Sequence, residues 1–279
     1  RSLSKEAFMS DILLFDIGNS RLKWACVGAN HDPSERHKKI WDYSGAIDRK
    51  LLDSNEHRAE LAHYIKSTIP KPVVIGICCV AAESYYELLQ ELFGDWQGIP
   101  TLRIFGNSEY PQLRTQYQNT QTLGADRWAA IIAARQLSQD NSLVICAGTA
   151  TTIDFLGGNG VHHGGWIIPG VSLMRNSLLD HTARLDVPRD GIQGHGIGLS
   201  TPSAIDEGCL LAHAGAILSA LEFAKQKNQA VSRIWIDGGH ADTLLVRLSQ
   251  MNIKAEKISG LVLRGLWAWV KTKNELATN

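Results

Sequence analysis

Apolar and polar positions alternate in blocks along the chain, and the blocks change period repeatedly. Residues 12–17 form an unbroken apolar run that ends in Gly18-Asn19, which predicts a buried strand and a tight turn. Residues 21–27 alternate and predict a second strand, paired back as a hairpin. Residues 31–39 are polar and predict a loop. Helical spacing over 59–69, stopped by Pro70, precedes another buried strand over 72–80. A helix over 82–93 and a short strand over 101–105 follow. Residues 107–122 are polar and weakly periodic, and the domain connection is expected near their end.

The second half repeats the scheme. Residues 125–137 have strong helical spacing; strands are predicted over 142–146, 151–156 and 161–168, then a helix over 171–179. Residues 186–199 are a glycine-containing loop, 202–226 one long helix and 233–236 a strand ending in Asp237-Gly238-Gly239. A helix, a short strand and a final helix complete the chain. Strand, glycine turn and strand thus occur twice, at 15–20 (FDIGNS) and 145–150 (ICAGTA), and a duplicated α/β core explains the echo.

Composition narrows the classes. The 279 residues are 44% hydrophobic and 20% charged with zero formal net charge, an ordinary globular balance that gives no electrostatic case for nucleic acid. No apolar run of the length needed to cross a bilayer is evident, so no membrane partner is expected. Residues 1–8 precede Met9 and read as a leader or tag outside the fold. Five cysteines without a C-x-x-C spacing predict reduced, mostly buried thiols and a cytoplasmic protein.

Four segments carry candidate chemistry. In Asp16-x-Gly18-Asn19-Ser20-x-x-Lys23, a glycine lets the backbone approach a ligand, Asn19 and Ser20 supply polar side chains, Lys23 a cation and Asp16 a ligand for Mg²⁺. An ordinary hairpin with an acidic rim is the plain alternative. Gly148-Thr149-Ala150-Thr151-Thr152 reads as a second phosphate turn or as a threonine-rich strand. Asp237-Gly238-Gly239-His240-Ala241 reads as an adenine platform or a plain strand-to-helix turn. Asp126, in the first turn of the 125–137 helix, either complements the helix dipole or accepts a hydroxyl proton, with Arg127 as a guanidinium clamp. Adjacent His162 and His163 point to opposite faces of a strand and read as exposed polar residues. No P-loop or dinucleotide fingerprint occurs.

In order, DIGNSRLK at 16–23, GADR at 124–127, GTATTID at 148–154, GGWIIPG at 164–170 and DGGHA at 237–241 resemble the type III pantothenate kinase family, from Asp11 to the C-terminus. The resemblance implies a duplicated ribonuclease H-like, actin-like α/β architecture. Its nucleotide cleft would lie between an N-terminal domain at 9–122 and a C-terminal domain at 123–279. It implies phosphorylation of the 4′-hydroxyl of pantothenate by ATP with Mg²⁺, opening coenzyme A synthesis, in a homodimer with pantothenate near the subunit interface. Asp16, Ile17, Gly18, Asn19, Ser20, Arg21, Leu22, Lys23 and Thr149 would contact ATP, with Asp16 near Mg²⁺. Tyr117, Gly124, Ala125, Asp126, Arg127 and Thr201 would contact pantothenate, Asp126 being the catalytic base. The family's carboxylate for K⁺ or NH₄⁺ is replaced by Cys146, a poor ligand for a hard ion, which puts that site in doubt. The competing readings are another sugar-kinase-like phosphotransferase and a nucleotide-binding transcriptional accessory factor.

Overall fold

The computed structural model describes residues 11–28, 31–36, 40–96, 98–181 and 196–277. Its first elements are β1 (Asp11–Ile17), β2 (Arg21–Gly28), β3 (Tyr43–Asp48), α1 (Asn55–Thr68), β4 (Val74–Cys79), α2 (Glu83–Leu92) and β5 (Thr101–Ile104). Next come β6 (Arg114–Thr115), α3 (Ala125–Leu137), β7 (Ser142–Ala147), β8 (Ala150–Leu156), β9 (Val161–Pro169) and α4 (Val171–His181). The chain ends through α5 (Thr201–Gln226), β10 (Arg233–Asp237), α6 (Ala241–Gln250), β11 (Glu256–Lys257) and α7 (Leu261–Ala277).

Two sheets carry these elements, in the orders β3-β2-β1-β4-β5 and β11-β10-β7-β8-β9-β6. In the first, β1–β2 and β2–β3 are antiparallel while β1–β4 and β4–β5 are parallel. The second repeats that pattern with β7, β8, β9, β10 and β11 in the corresponding places, and adds β6 parallel to β9. The duplication read from the two glycine turns is therefore a duplication of whole sheets. Pairing a strand in parallel with a later one needs a crossover, and α1 supplies it between β3 and β4.

Two compact units result, and they do not follow a single cut after residue 122. One comprises residues 1–110, 119–137 and 261–279; the other comprises 111–118 and 138–260. Packing explains the difference from the expected 9–122 and 123–279 division. Helix α3 is rich in buried alanine, and its backbone meets α7 so closely that a Cβ on Gly265 would lie 1.6 Å from the Ala129 carbonyl oxygen. Both helices pack on β4, and α7 also packs on β1, so they belong with the first sheet. Residues 111–118 leave that unit because β6 pairs with β9.

In the first unit, Leu13, Phe15 and Ile17 of β1 join Leu61, Ile65, Leu88, Leu89 and Phe93 in one core. Side chains alternate along a strand, so Ile12, Leu14 and Asp16 take the opposite face, the one α7 covers. In the second unit, Leu143, Ile145, Ala147 and Ile153 pack with Leu210, Ala214, Ile217 and Leu244. Helix α5 corrects one sequence expectation: it is long and apolar enough to cross a membrane, yet it buries Cys209, Leu210, Ala214, Ile217 and Ala220 in this core. Strand β3 was not expected; its Tyr-Ser-Gly-Ala-Ile-Asp pattern is that of an edge strand with little to bury.

Candidate active site

In the first unit the β1–β2 turn is closed by Gly18 N–H donating to the Arg21 carbonyl at 2.9 Å. The side chains of Ile17 and Leu22 are fully buried, so those two anchor the turn and reach a ligand only through their main chain. Asn19, Ser20 and Arg21 are exposed. Arg49 was not singled out in the sequence. Its Nε donates to the Asn19 carbonyl at 2.7 Å, its N–H to the Ser20 carbonyl at 2.9 Å, and its guanidinium lies 4.3 Å over the Tyr85 ring. It adds a third cation, beside Arg21 and Lys23, at the same turn.

Asp16 stands at the end of β1, 6% exposed, with one carboxylate oxygen 3.7 Å from Lys23 Nζ. The register places Asp16 between Lys23 and Cys78 on one sheet face. Burial pushes the Cys78 thiol well above its usual range, and the negative charges of Asp16 and then Asp126 push it further. Both carboxylates therefore act on one strand end. Asp126 reaches it because α3 begins there: Gly124 accepts the first helical bond from Trp128 N–H at 3.0 Å, and Asp126 lies in the first turn. Asp126 Oδ1 accepts from Arg127 N–H at 2.8 Å. Arg127 is only 5% exposed. Beside Ala125 opens a pocket of about 470 Å³, also lined by Cys79, Phe105, Asn107, Gln121 and Leu123. Its Phe105 wall is stiffened by Arg103, which pairs with Glu83 through two bonds of 2.5 and 2.8 Å and stacks on Tyr86 and Phe105.

In the second unit three glycine motifs converge on one point. Gly148 N–H donates to the Ala150 carbonyl at 3.0 Å, and Gly170 N–H to the Thr149 carbonyl at 2.9 Å. A Cβ on Gly170 would lie 2.1 Å from the Gly148 carbonyl oxygen, and one on Gly238, at φ 110°, 2.3 Å from that of Ala147. No larger residue fits either place. Thr149 is exposed at the tip. His240 N–H donates to the Ala147 carbonyl at 3.3 Å, and its ring bonds Ser172 at 2.9 Å. Burial, and then the neighbouring His213, lower the His240 pKa below its ordinary value.

Cys146 lies in register with Asp237 on one side and Thr152 on the other, so the three side chains share a sheet face. The Thr152 hydroxyl is buried without a partner. Tyr117 stacks on His162, with centroids 6.0 Å apart and planes at 15°. Contrary to the sequence expectation, His162 is not an exposed polar residue: it is fully buried against Asp154 and Thr115. Thr201 opens α5 and is exposed, while Ser200 caps the helix through a reciprocal bond with Ser203. The residues expected to touch ATP and pantothenate are thus divided: Asp16 to Lys23 and Gly124 to Arg127 lie in one unit, Tyr117, Thr149 and Thr201 in the other.

The family profile described as type III pantothenate kinase matches residues 12–222, which span both glycine turns and the Asp126 helix start. The chain belongs to the type III pantothenate kinase family. Type III pantothenate kinases of Aromatoleum aromaticum and Nitrosococcus oceani are 33% and 32% identical to it over 257 and 267 residues. Both alignments cover 91% of this chain, and respectively 96% and 92% of the relative. Among solved structures, a Sinorhizobium meliloti protein assigned as a 2-dehydro-3-deoxygalactonokinase superposes with TM-score 0.59 at 14% identity, covering 94% of this chain and 96% of that one. A Campylobacter jejuni protein assigned to the Baf family of transcriptional activators superposes with TM-score 0.57 at 20% identity, covering 94% and 99%. These likenesses show the fold, that of the sugar-kinase and actin-like ATPases.

Proposed function

We propose that this kinase transfers the γ-phosphoryl group of ATP to the 4′-hydroxyl of pantothenate, the opening step of coenzyme A synthesis. The observation that carries the proposal is the placing of two carboxylates about β4, in a chain of this family: Asp16 ends β1 in register with Cys78, and Asp126 lies in the first turn of α3, which packs on β4. Transfer to an alcohol needs one carboxylate to accept the hydroxyl proton and another to hold the divalent ion. Asp126, at the start of α3 beside the 470 Å³ pocket, takes the proton; its bond to Arg127 N–H fixes the oxygen that does so. Asn19, Ser20, Arg21, Lys23 and Arg49 face the phosphates with donors and positive charge. The family resemblance assigns the Thr149 hydroxyl to ATP, and Tyr117, Arg127 and Thr201 to pantothenate.

Asp16 fits Mg²⁺. It is a buried hard-oxygen ligand at the end of β1, as suits an ion held by one or two carboxylates together with phosphates and water. When bound, Mg²⁺ supplies charge neutralisation at the phosphates. At the Cys146 position a thiol replaces a carboxylate, so Asp237 and the neutral Thr152 hydroxyl on that sheet face make a weaker donor set for K⁺ or NH₄⁺ than the family's.

A homodimer is supported by apolar side chains left exposed in the second unit: Ile167, Leu173, Leu178, Leu211, Leu218 and Phe223. Trp166, Leu218 and Phe223 line one shallow depression there. Five cysteines outside any disulfide support a cytoplasmic setting. The test is ATP consumption with pantothenate beside a panel of sugar and sugar-acid alcohols, with mass measured by light scattering. Turnover confined to a sugar acceptor, or none with any, overturns the reading.

A further inference from the structure

Strand β6 has two residues, of which Arg114 is exposed and Thr115 half-buried, so it has almost no core of its own. Main-chain bonds hold it to β9: Arg114 N–H to the Gly160 carbonyl at 3.1 Å and Gln116 N–H to the His162 carbonyl at 2.9 Å. Beneath it runs a chain of side-chain bonds. Tyr117 N–H donates to Thr115 Oγ1 at 3.1 Å, Thr115 Oγ1 lies 2.8 Å from His162 Nδ1, and His162 Nε2 lies 2.9 Å from Asp154 Oδ1. His162 and Asp154 are 0% and 2% exposed.

With Asp154 ionised and the His162 imidazole neutral, one assignment of hydrogens satisfies every bond. Asp154, as a carboxylate, accepts, so His162 carries its proton on Nε2; Nδ1 is then an acceptor and takes the Thr115 hydroxyl proton. The Thr115 oxygen is left to accept from Tyr117. All the polarity runs from Tyr117 toward Asp154, and the imidazole plane also carries the Tyr117 ring. A buried carboxylate–imidazole pair is a costly way to hold a sheet together where apolar side chains would serve, but it fixes one geometry.

We propose that Asp154, His162 and Thr115 form a buried relay that positions Tyr117 against the acceptor, making Thr115 and His162 positioning residues for the reaction. This rests on Tyr117 contacting pantothenate, as proposed above. The relay holds Tyr117 at two points, its main-chain N–H through Thr115 and its ring against the His162 imidazole, and so helps to set where the ring sits.

Thr115→Val keeps the shape and removes both hydroxyl bonds; Thr115→Ser keeps them. The expected result is a KM for pantothenate raised about 3–10-fold in Thr115→Val, the worth of the one lost bond that reaches Tyr117 directly, with KM for ATP unchanged and Thr115→Ser restored to the parent value. Adding Thr115→Val to Tyr117→Phe should raise KM by less than the product of the two single effects. Independently of turnover, ¹⁵N NMR of the imidazole nitrogens, assigned with His162→Gln, should show the Nε2–H tautomer. Hydrogen exchange at the Tyr117 amide should be faster in Thr115→Val than in Thr115→Ser. Equal rises in both KM values, a Ser variant as impaired as the Val variant, or an Nδ1–H tautomer overturns the relay. Should the parent not turn over pantothenate, the substrate reading fails, and the tautomer and exchange results alone decide the relay.

Discussion

Gly124→Ala isolates the position of the base from its chemistry. A Cβ at residue 124 would lie 2.6 Å from Asp126 Oδ1. Non-bonded atoms settle near 3.5 Å or beyond, so the carboxylate must move by about 1 Å. It is the end of a flexible side chain, so it can rotate away, giving up its bond to Arg127 N–H. The fold should barely notice: Gly124 is the residue before the first helical turn, where exchanging glycine for alanine costs at most about 1 kcal/mol. The rate should notice, since a misplacement of about 1 Å at a reacting group costs about 10²-fold. Asp126→Asn, which removes the base itself, should lose ~10²–10⁴-fold. The assay is steady-state phosphorylation of pantothenate, with the melting temperature measured alongside. Gly124→Ala added to Asp126→Asn should cost little further, because there is no longer a base to misplace. A Gly124→Ala enzyme with kcat near the parent value, at unchanged melting temperature, would refute the assignment of Asp126 Oδ1 as the proton acceptor.

Asp16→Asn should shift the Mg²⁺ dependence of the rate to higher concentration and leave the affinity for pantothenate unchanged; a superimposable Mg²⁺ titration removes Asp16 from the metal role. Arg127→Lys should raise KM for pantothenate roughly tenfold or more, as loss of a charged hydrogen-bond pair does, with little change for ATP; equal effects on both substrates would assign the buried guanidinium a purely structural part. At the second turn, rates in Na⁺, K⁺ and NH₄⁺ at matched ionic strength should coincide in the parent, because Cys146 offers no charged oxygen between Asp237 and Thr152. Cys146→Asp should introduce a K⁺ response, and a strong K⁺ requirement in the parent would contradict the loss of that site.

The parts of this molecule that were legible in its sequence are those whose cause is local. The β1–β2 hairpin follows from an apolar run and a Gly-Asn turn, and the β7–β8 hairpin from an apolar run and a Gly-Thr turn, so the echo between them foretold the duplicated core, which the two sheets show with β6 added to the second. The assignment of α3 and α7 to the first unit was not legible, because it depends on which surfaces meet: nothing in the run of alanines from Ala129 to Ala134 says that the partner is Gly265, more than a hundred residues away. His162 was misread for the same reason. Beside His163 it resembles a solvent-facing pair, and only the fold brings Asp154 from β8 and Thr115 from β6 to its two nitrogens. The glycines of the GTATT, GGWIIPG and DGGHA motifs carry the same lesson in reverse. Read separately, each allowed a plain turn; together they leave room for three backbones to touch at Ala147 to Thr149. A side chain at Gly170 or Gly238 would strike that turn's own carbonyls. The requirement is thus first for packing the turn, and what that packing holds in place is the exposed Thr149 at its tip.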